Sequence, residues 1–119
     1  MVVDEVERRA LDDVFHALAD GTRRDIVVRT LRDEYSVSAL SRLYPMTFAA
    51  VQKHVAVLER AALVTKRRSG REQLVTGNVD TVRRAARLLD RLELVWRDRL
   101  DRFGAILAED PNPGGPACR

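Results

Sequence analysis

The 119 residues carry 21 Lys and Arg against 18 Asp and Glu, a formal charge of +3, and are 45% hydrophobic but only 5% aromatic. A chain of this size builds one modest core, and its single cysteine, Cys118, excludes an intramolecular disulfide and fits a reducing compartment. No apolar run approaches the ~18 residues of a membrane span, and the acidic N-terminus is unlike a secretory leader, so a cytoplasmic protein without membrane contact is expected.

Residues 4–18 place Val6, Ala10, Val14 and Leu18 at helical spacing, with Leu11 and Phe15 widening the stripe. Asp20 is suited to cap a second helix over Gly21–Asp33, with Ile26, Val27, Thr30 and Leu31 as its inner face. A short helix follows over Ser36–Leu43. Tyr44-Pro45-Met46 breaks it, and Thr47 opens a further helix to about Ala61. Leu63–Arg68 and Arg71–Thr76 alternate as two strands, with Ser69-Gly70 at the tip. After Gly77-Asn78, Asp80 is the expected cap of a last helix reaching about Glu109, along which Ala85, Leu88, Leu89, Leu92, Val95, Trp96, Phe103, Ile106 and Leu107 form a stripe. Such a helix extends roughly 45 Å at 1.5 Å per residue, more than a domain of this mass can cover. The Pro/Gly-rich end reads as a disordered tail over 111–119, leaving one domain over 1–110.

This order predicts a mainly α fold with a small β-hairpin, a winged helix-turn-helix dimerising through its N- and C-terminal helices. Charge is divided accordingly. Residues 1–13 carry a local −3, whereas 45–78 hold Lys53, Arg60, Lys66, Arg67, Arg68 and Arg71 against Glu59 and Glu72. The basic excess therefore collects on the helix and hairpin that would meet a nucleic acid. The overhanging stripe of the last helix is expected to face a second copy, with Val6 and Val14 on the first helix and Leu88, Leu92, Val95, Trp96 and Phe103 on the last as interface residues.

On the helix from Thr47, Phe48, Val51, Val55, Leu58 and Ala62 share the face expected to be core, opposite Ala49, Lys53, Ala56 and Arg60. Small Ala49 and Ala50 let the helix sink into a major groove, where an alanine methyl can meet a thymine methyl. Lys53 would reach a guanine edge or a phosphate, and Gln52 can pair with adenine. Thr47 can cap the helix and offer its hydroxyl to a phosphate, and His54 is a weaker reader. Arg67, Arg68 and Arg71 on the wing suit the backbone or an adjacent minor groove.

Leu18-Ala19-Asp20-Gly21-Thr22-Arg23-Arg24, Val37-Ser38-Ala39-Leu40, Met46-Thr47, Val51-Gln52-Lys53-His54-Val55-Ala56-Val57-Leu58-Glu59 and Leu63-Val64 resemble the ArsR-type family of winged-helix repressors, over about residues 11–108. The resemblance implies a homodimer on double-stranded DNA at a palindromic operator, released by a signal. The chain departs from the family's pattern at Gly21 (usually proline), Pro45 (usually a turn glycine) and Ala62 (usually the glycine ending the reading helix). At Ala62 a left-handed backbone costs alanine roughly 1 kcal/mol. Metal-sensing members carry cysteines where this chain has Ser36 and Ser38, or histidines along a last helix that here has Asp80 and none. With His16, His54 and Cys118 as the whole His/Cys inventory, no metal site and no cofactor are expected.

An enzyme is not expected, since no phosphate loop or nucleophile motif is present. The alternatives are a winged-helix protein-docking module and an architectural DNA binder with little sequence preference. The inducing signal stays open among a small-molecule effector, a partner protein and autoregulation by concentration.

Overall fold

The computed structural model describes residues 3–108. In chain order these form α1 (Val3–Leu18), α2 (Gly21–Arg32), β1 (Tyr35–Ser36), α3 (Val37–Ser41), α4 (Phe48–Arg60), β2 (Val64–Ser69), β3 (Glu72–Gly77) and α5 (Val79–Ala108). They fall into two units that divide between Ala85 and Ala86. The tail over 111–119 and Cys118 lie outside the described residues.

In the first unit, three helices start where a side chain accepts from a free first-turn amide. Asp20 accepts from Arg23 N, Ser36 from Ala39 N and Thr47 from Ala50 N, each at 3.0 Å, and caps of this kind contribute about 1 kcal/mol apiece. At α5 the cap is Asn78 and not Asp80, because Asn78 stands just outside the first helical residue and its Oδ1 accepts from Asp80 N at 3.1 Å. Asp80 lies inside the first turn, where its carboxylate suits the helix dipole and sits 3.7 Å from Arg83 Nη1.

The end of α4 has the two bonds of a Schellman turn, Leu63 N to Leu58 O and Ala62 N to Glu59 O, both 2.9 Å. Ala62 accordingly takes φ +63°. Its carbonyl accepts from Thr81 Oγ1 at 2.6 Å and Asn78 Nδ2 at 3.0 Å, which holds this costly conformation in place.

The hairpin belongs to a three-stranded antiparallel sheet in the order β1-β3-β2. β1 was not expected: two residues, Tyr35 opposite Val75 and Ser36 opposite Leu74, are too few to show a period. β2 and β3 pair from Val64 opposite Gly77 to Ser69 opposite Glu72. The tip is therefore Gly70-Arg71, one residue beyond the expected Ser69-Gly70, because the left-handed turn position (φ +64°) falls on Gly70. At Gly77 a Cβ would come within 2.8 Å of the Leu31 side chain, so only glycine lets α2 lie directly against the end of β3.

One core joins Val14 and Ala17 of α1, Ile26 and Val27 of α2, Val37 and Leu40 of α3, Val51, Val55 and Leu58 of α4, then Leu63, Val64, Val75 and Ala85. Buried Thr30 stays satisfied by donating to Ile26 O at 2.8 Å. Three sequence expectations are corrected here. Val14, expected between copies, is 1% exposed and lies inside this core, because α1 turns that face onto its own unit. Leu31, expected inside, is 40% exposed at the margin of α2 over Gly77. Phe48, expected in the core, is 45% exposed because it is the first residue of α4, ahead of the turn whose Val51 reaches the interior.

In the second unit, residues 86–108 continue α5 as an amphipathic helix. Its polar side is laced by i,i+4 pairs, Arg97 with Glu93 at 2.8 Å and Arg102 with Asp98. Its apolar residues Leu89, Leu92, Leu94, Val95, Trp96, Leu100, Phe103, Ile106 and Leu107 are exposed, with the Arg99 guanidinium 5.8 Å from the Trp96 ring centre. No helix among the described residues is long and apolar enough to cross a membrane.

Candidate nucleic-acid interface

The helix-turn-helix is α3, the Leu43–Thr47 turn and α4. The turn is pinned from α2: the Tyr44 hydroxyl donates to Asp25 Oδ2 at 2.6 Å, and Arg29 Nε donates to the same oxygen at 2.8 Å. Arg29 also lies 6.0 Å from the Tyr44 ring centre. The Tyr44 hydroxyl, helped by Arg29, holds the Asp25 carboxyl below its usual range. Burial first, and then the bond to Asp25, push the Tyr44 phenol up to about 12. This cluster fixes where α4 starts and hence which face it turns outward.

With Val51, Val55 and Leu58 buried, α4 presents Thr47, Ala49, Gln52, Lys53 and Arg60 as exposed residues, with Ala50 half-buried beside them. The Thr47 hydroxyl is committed to capping through Ala50 N, and as an acceptor there it keeps its proton free to donate.

His54 sits differently. Its Nδ1 lies 3.2 Å from Arg23 Nη1 and 4.0 Å from Asp20 Oδ2. Arginine has no acceptor, so Nδ1 is the unprotonated ring nitrogen in this contact. Arg23 also donates to the end of α1, from Nε to Ala17 O at 2.7 Å and from Nη2 to His16 O at 3.4 Å. The Arg23 backbone N–H, with the nearby Arg23 charge, lowers the Asp20 carboxyl below its ordinary value. His54 thus ties α4 to the α1–α2 junction, a role that helical periodicity alone does not reveal.

Between α4 and the wing lies a cleft of about 270 Å³ lined by Val37, Ser38, Phe48, Gln52, Val55, Lys66, Arg71, Glu72 and Gln73. It places Gln52 of the helix and Arg71 of the wing tip on one wall-to-wall surface. Ser38, Phe48 and Gln73 join them unforeseen. Phe48 was hidden by an apolar period that assigned it to the core, and Gln73 by the absence of charge. On the wing, Arg68 folds over the tip with Nε 3.2 Å from Gly70 O, while Arg67 Nη2 donates to Glu34 Oε1 at 3.2 Å.

Among the described residues no three His, Cys, Asp or Glu side chains are grouped to hold a metal ion. The expected interface residues divide by environment: Val6 is 79% and Leu92 58% exposed, Val95, Trp96 and Phe103 are exposed, Leu88 is half-buried, and Val14 is in the core.

No family model matches the chain. Among known proteins, the HTH-type transcriptional regulator Rv2034 of Mycobacterium tuberculosis is 34% identical over 99 residues, which are 83% of this chain and 90% of that protein. An ArsR-like transcriptional regulator from Rhodococcus sp. RHA1 superposes with a TM-score of 0.73 at 31% identity, over 84% of this chain and 94% of its own. The homodimeric winged helix-turn-helix DNA-binding domain of Mb0332 from Mycobacterium bovis shares the fold, with a TM-score of 0.64 at 22% identity over 78% and 87% of the two chains.

Proposed function

The chain belongs to the ArsR family of winged helix-turn-helix transcriptional regulators, and within it we propose a homodimeric, metal-independent repressor that recognises a palindromic operator in double-stranded DNA. The observation that carries this reading is the surface shared by α4 and the wing tip, where Gln52 and Arg71 line one cleft and exposed Lys53 follows Gln52 on the helix.

In this reading α4 enters the major groove. Ala49 and Ala50 allow close approach and methyl contact with thymine, Lys53 reads a guanine edge, Gln52 pairs with adenine, and Thr47 donates to a phosphate. His54 supports α4 from behind through Arg23. Arg68 and Arg71 follow the flanking backbone or minor groove, while Arg67, paired with Glu34, stands nearer the wing's base. Two copies joined along Val6 and the exposed stripe of Leu92, Val95, Trp96 and Phe103, with Leu88 at its edge, would present two reading helices to half-sites one helical turn apart, about 34–36 Å.

The test is a titration against the protein's own promoter fragment and a scrambled fragment of equal length, at two salt concentrations, with and without a chelator. A large preference for the promoter, unchanged by the chelator, is the expected result. Equal and steeply salt-dependent binding to both would replace this reading with that of an architectural binder, and binding to neither would favour protein docking. Loss of the preference on chelation would overturn metal independence.

A further inference from the structure

The wing carries four cations, Lys66, Arg67, Arg68 and Arg71, and two of them meet carboxylates supplied by other elements. On the face turned to α4, Lys66 Nζ lies 3.4 Å from Glu59 Oε1. Arg67, the next residue of the strand, points to the other face, where its Nη2 donates to Glu34 Oε1 at 3.2 Å; the second Glu34 oxygen accepts from Thr76 Oγ1 at 3.1 Å. Glu34 precedes β1, and β3 lies between β1 and β2, so this carboxylate reaches across the middle strand to neutralise a cation on the far one.

We propose that Glu34 and Glu59 withhold Arg67 and Lys66 from phosphate contact, confining the wing's engagement to its tip, Arg68 to Arg71, and holding down the protein's affinity for DNA of any sequence. The inference rests on the DNA-binding reading above. Non-specific affinity is set by the number of phosphates that cations neutralise, with a slope of about −0.9 in log K against log salt for each. A cation already facing a carboxylate adds little to that count, and the carboxylate itself repels the strand. Base contacts from α4 do not depend on these pairs, so the two carboxylates lower affinity for all DNA while leaving the operator's advantage to the reading helix. Exposed ion pairs contribute little to stability, so removing either carboxylate frees a cation without dismantling the fold.

The experiment titrates the full-length wild type, Glu34→Gln and Glu59→Gln against the scrambled and promoter duplexes between about 50 and 200 mM salt, the range over which phosphate contacts separate affinities, with thermal melts to confirm folding. Each variant should bind the scrambled duplex more tightly and with a slope steeper by about 0.9, which is about a 3.5-fold larger loss across that range. The promoter should gain by the same factor, leaving the ratio of promoter to scrambled affinity unchanged. Adding Arg67→Gln to Glu34→Gln should return the slope to that of the wild type. Unchanged slopes and affinities, beside a wild type that binds its promoter, overturn the inference alone. So does weaker binding by Glu34→Gln, which would make Glu34 the residue that presents Arg67 to DNA. A wild type that binds neither duplex overturns the DNA-binding reading and this inference with it.

Discussion

Helix α4 and residues 86–108 of α5 are both amphipathic, yet their apolar faces meet opposite fates. In α4, Val51, Val55 and Leu58 are wholly buried within their own unit. Along 86–108, Leu92, Val95, Trp96 and Phe103 stand exposed. Periodicity records that a face must be covered and says nothing of what covers it. In α4 the covering comes from α2, α3 and the sheet, and this leaves the polar side, proposed to read DNA, open to solvent. For 86–108 the exposed stripe exceeds what isolated surface residues explain, and a second copy of the chain is the cover proposed here.

The largest effect separating the two should come from truncating each stripe. Leu58→Ala empties a fully buried site and should cost about 2–5 kcal/mol of unfolding free energy in a denaturant titration. Leu92→Asp should instead preserve the helical signal and halve the sedimenting mass. An unchanged sedimentation coefficient would remove Leu92 from the interface, and a collapse of structure like that of Leu58→Ala would erase the distinction between the helices.

On the outward side of α4, Lys53→Ala should weaken operator binding by about 1–3 kcal/mol, unevenly across operator variants if Lys53 reads a base. An equal loss on every sequence would make it a phosphate contact.

At the end of α4, Ala62→Gly should stabilise the protein by about 1 kcal/mol, since φ +63° costs alanine what glycine does not pay. A loss of stability would mean that the alanine methyl has packing value greater than the strain.

The smallest effect concerns the turn that aims α4. Tyr44→Phe removes the hydroxyl on Asp25 and should cost about 1 kcal/mol near neutral pH. The Asp25 carboxyl is depressed in the folded state, so its contribution is present above its unfolded value of 3.8 and is lost as pH falls through the lower folded one. The gap between wild type and Tyr44→Phe should therefore narrow on acidification below that value; a constant gap would put the hydroxyl's contribution elsewhere.

The elements were legible in the sequence because their signals are local. Asp20 and Thr47 announce helix starts, Tyr44-Pro45-Met46 the turn and Gly70 the hairpin. The family's glycine position at Ala62 anticipated the left-handed residue that the structure contains. The misreadings arose where a tertiary neighbour or the exact boundary of an element decides. Nothing local says that Val14 faces its own core, that Phe48 lies one turn too early for it, or that Asn78 caps α5 ahead of an equally eligible Asp80. Strand β1 exists only because β3 offers it an edge. In the candidate interface, composition placed the basic residues on α4 and the wing. The partners that modulate them, Arg23 for His54, Glu34 for Arg67 and Glu59 for Lys66, lie between 7 and 33 residues away in sequence and leave no periodic trace.

Sequence-specific reading by a two-fold dimer is tested most directly by selecting binding sites from a random duplex pool with the full-length protein and sequencing what is retained. Enrichment of an inverted repeat with half-site centres about 10–10.5 base pairs apart, or a multiple of that spacing, is the result expected of paired α4 helices. A retained pool with no sequence preference, or a single unrepeated half-site, would contradict it.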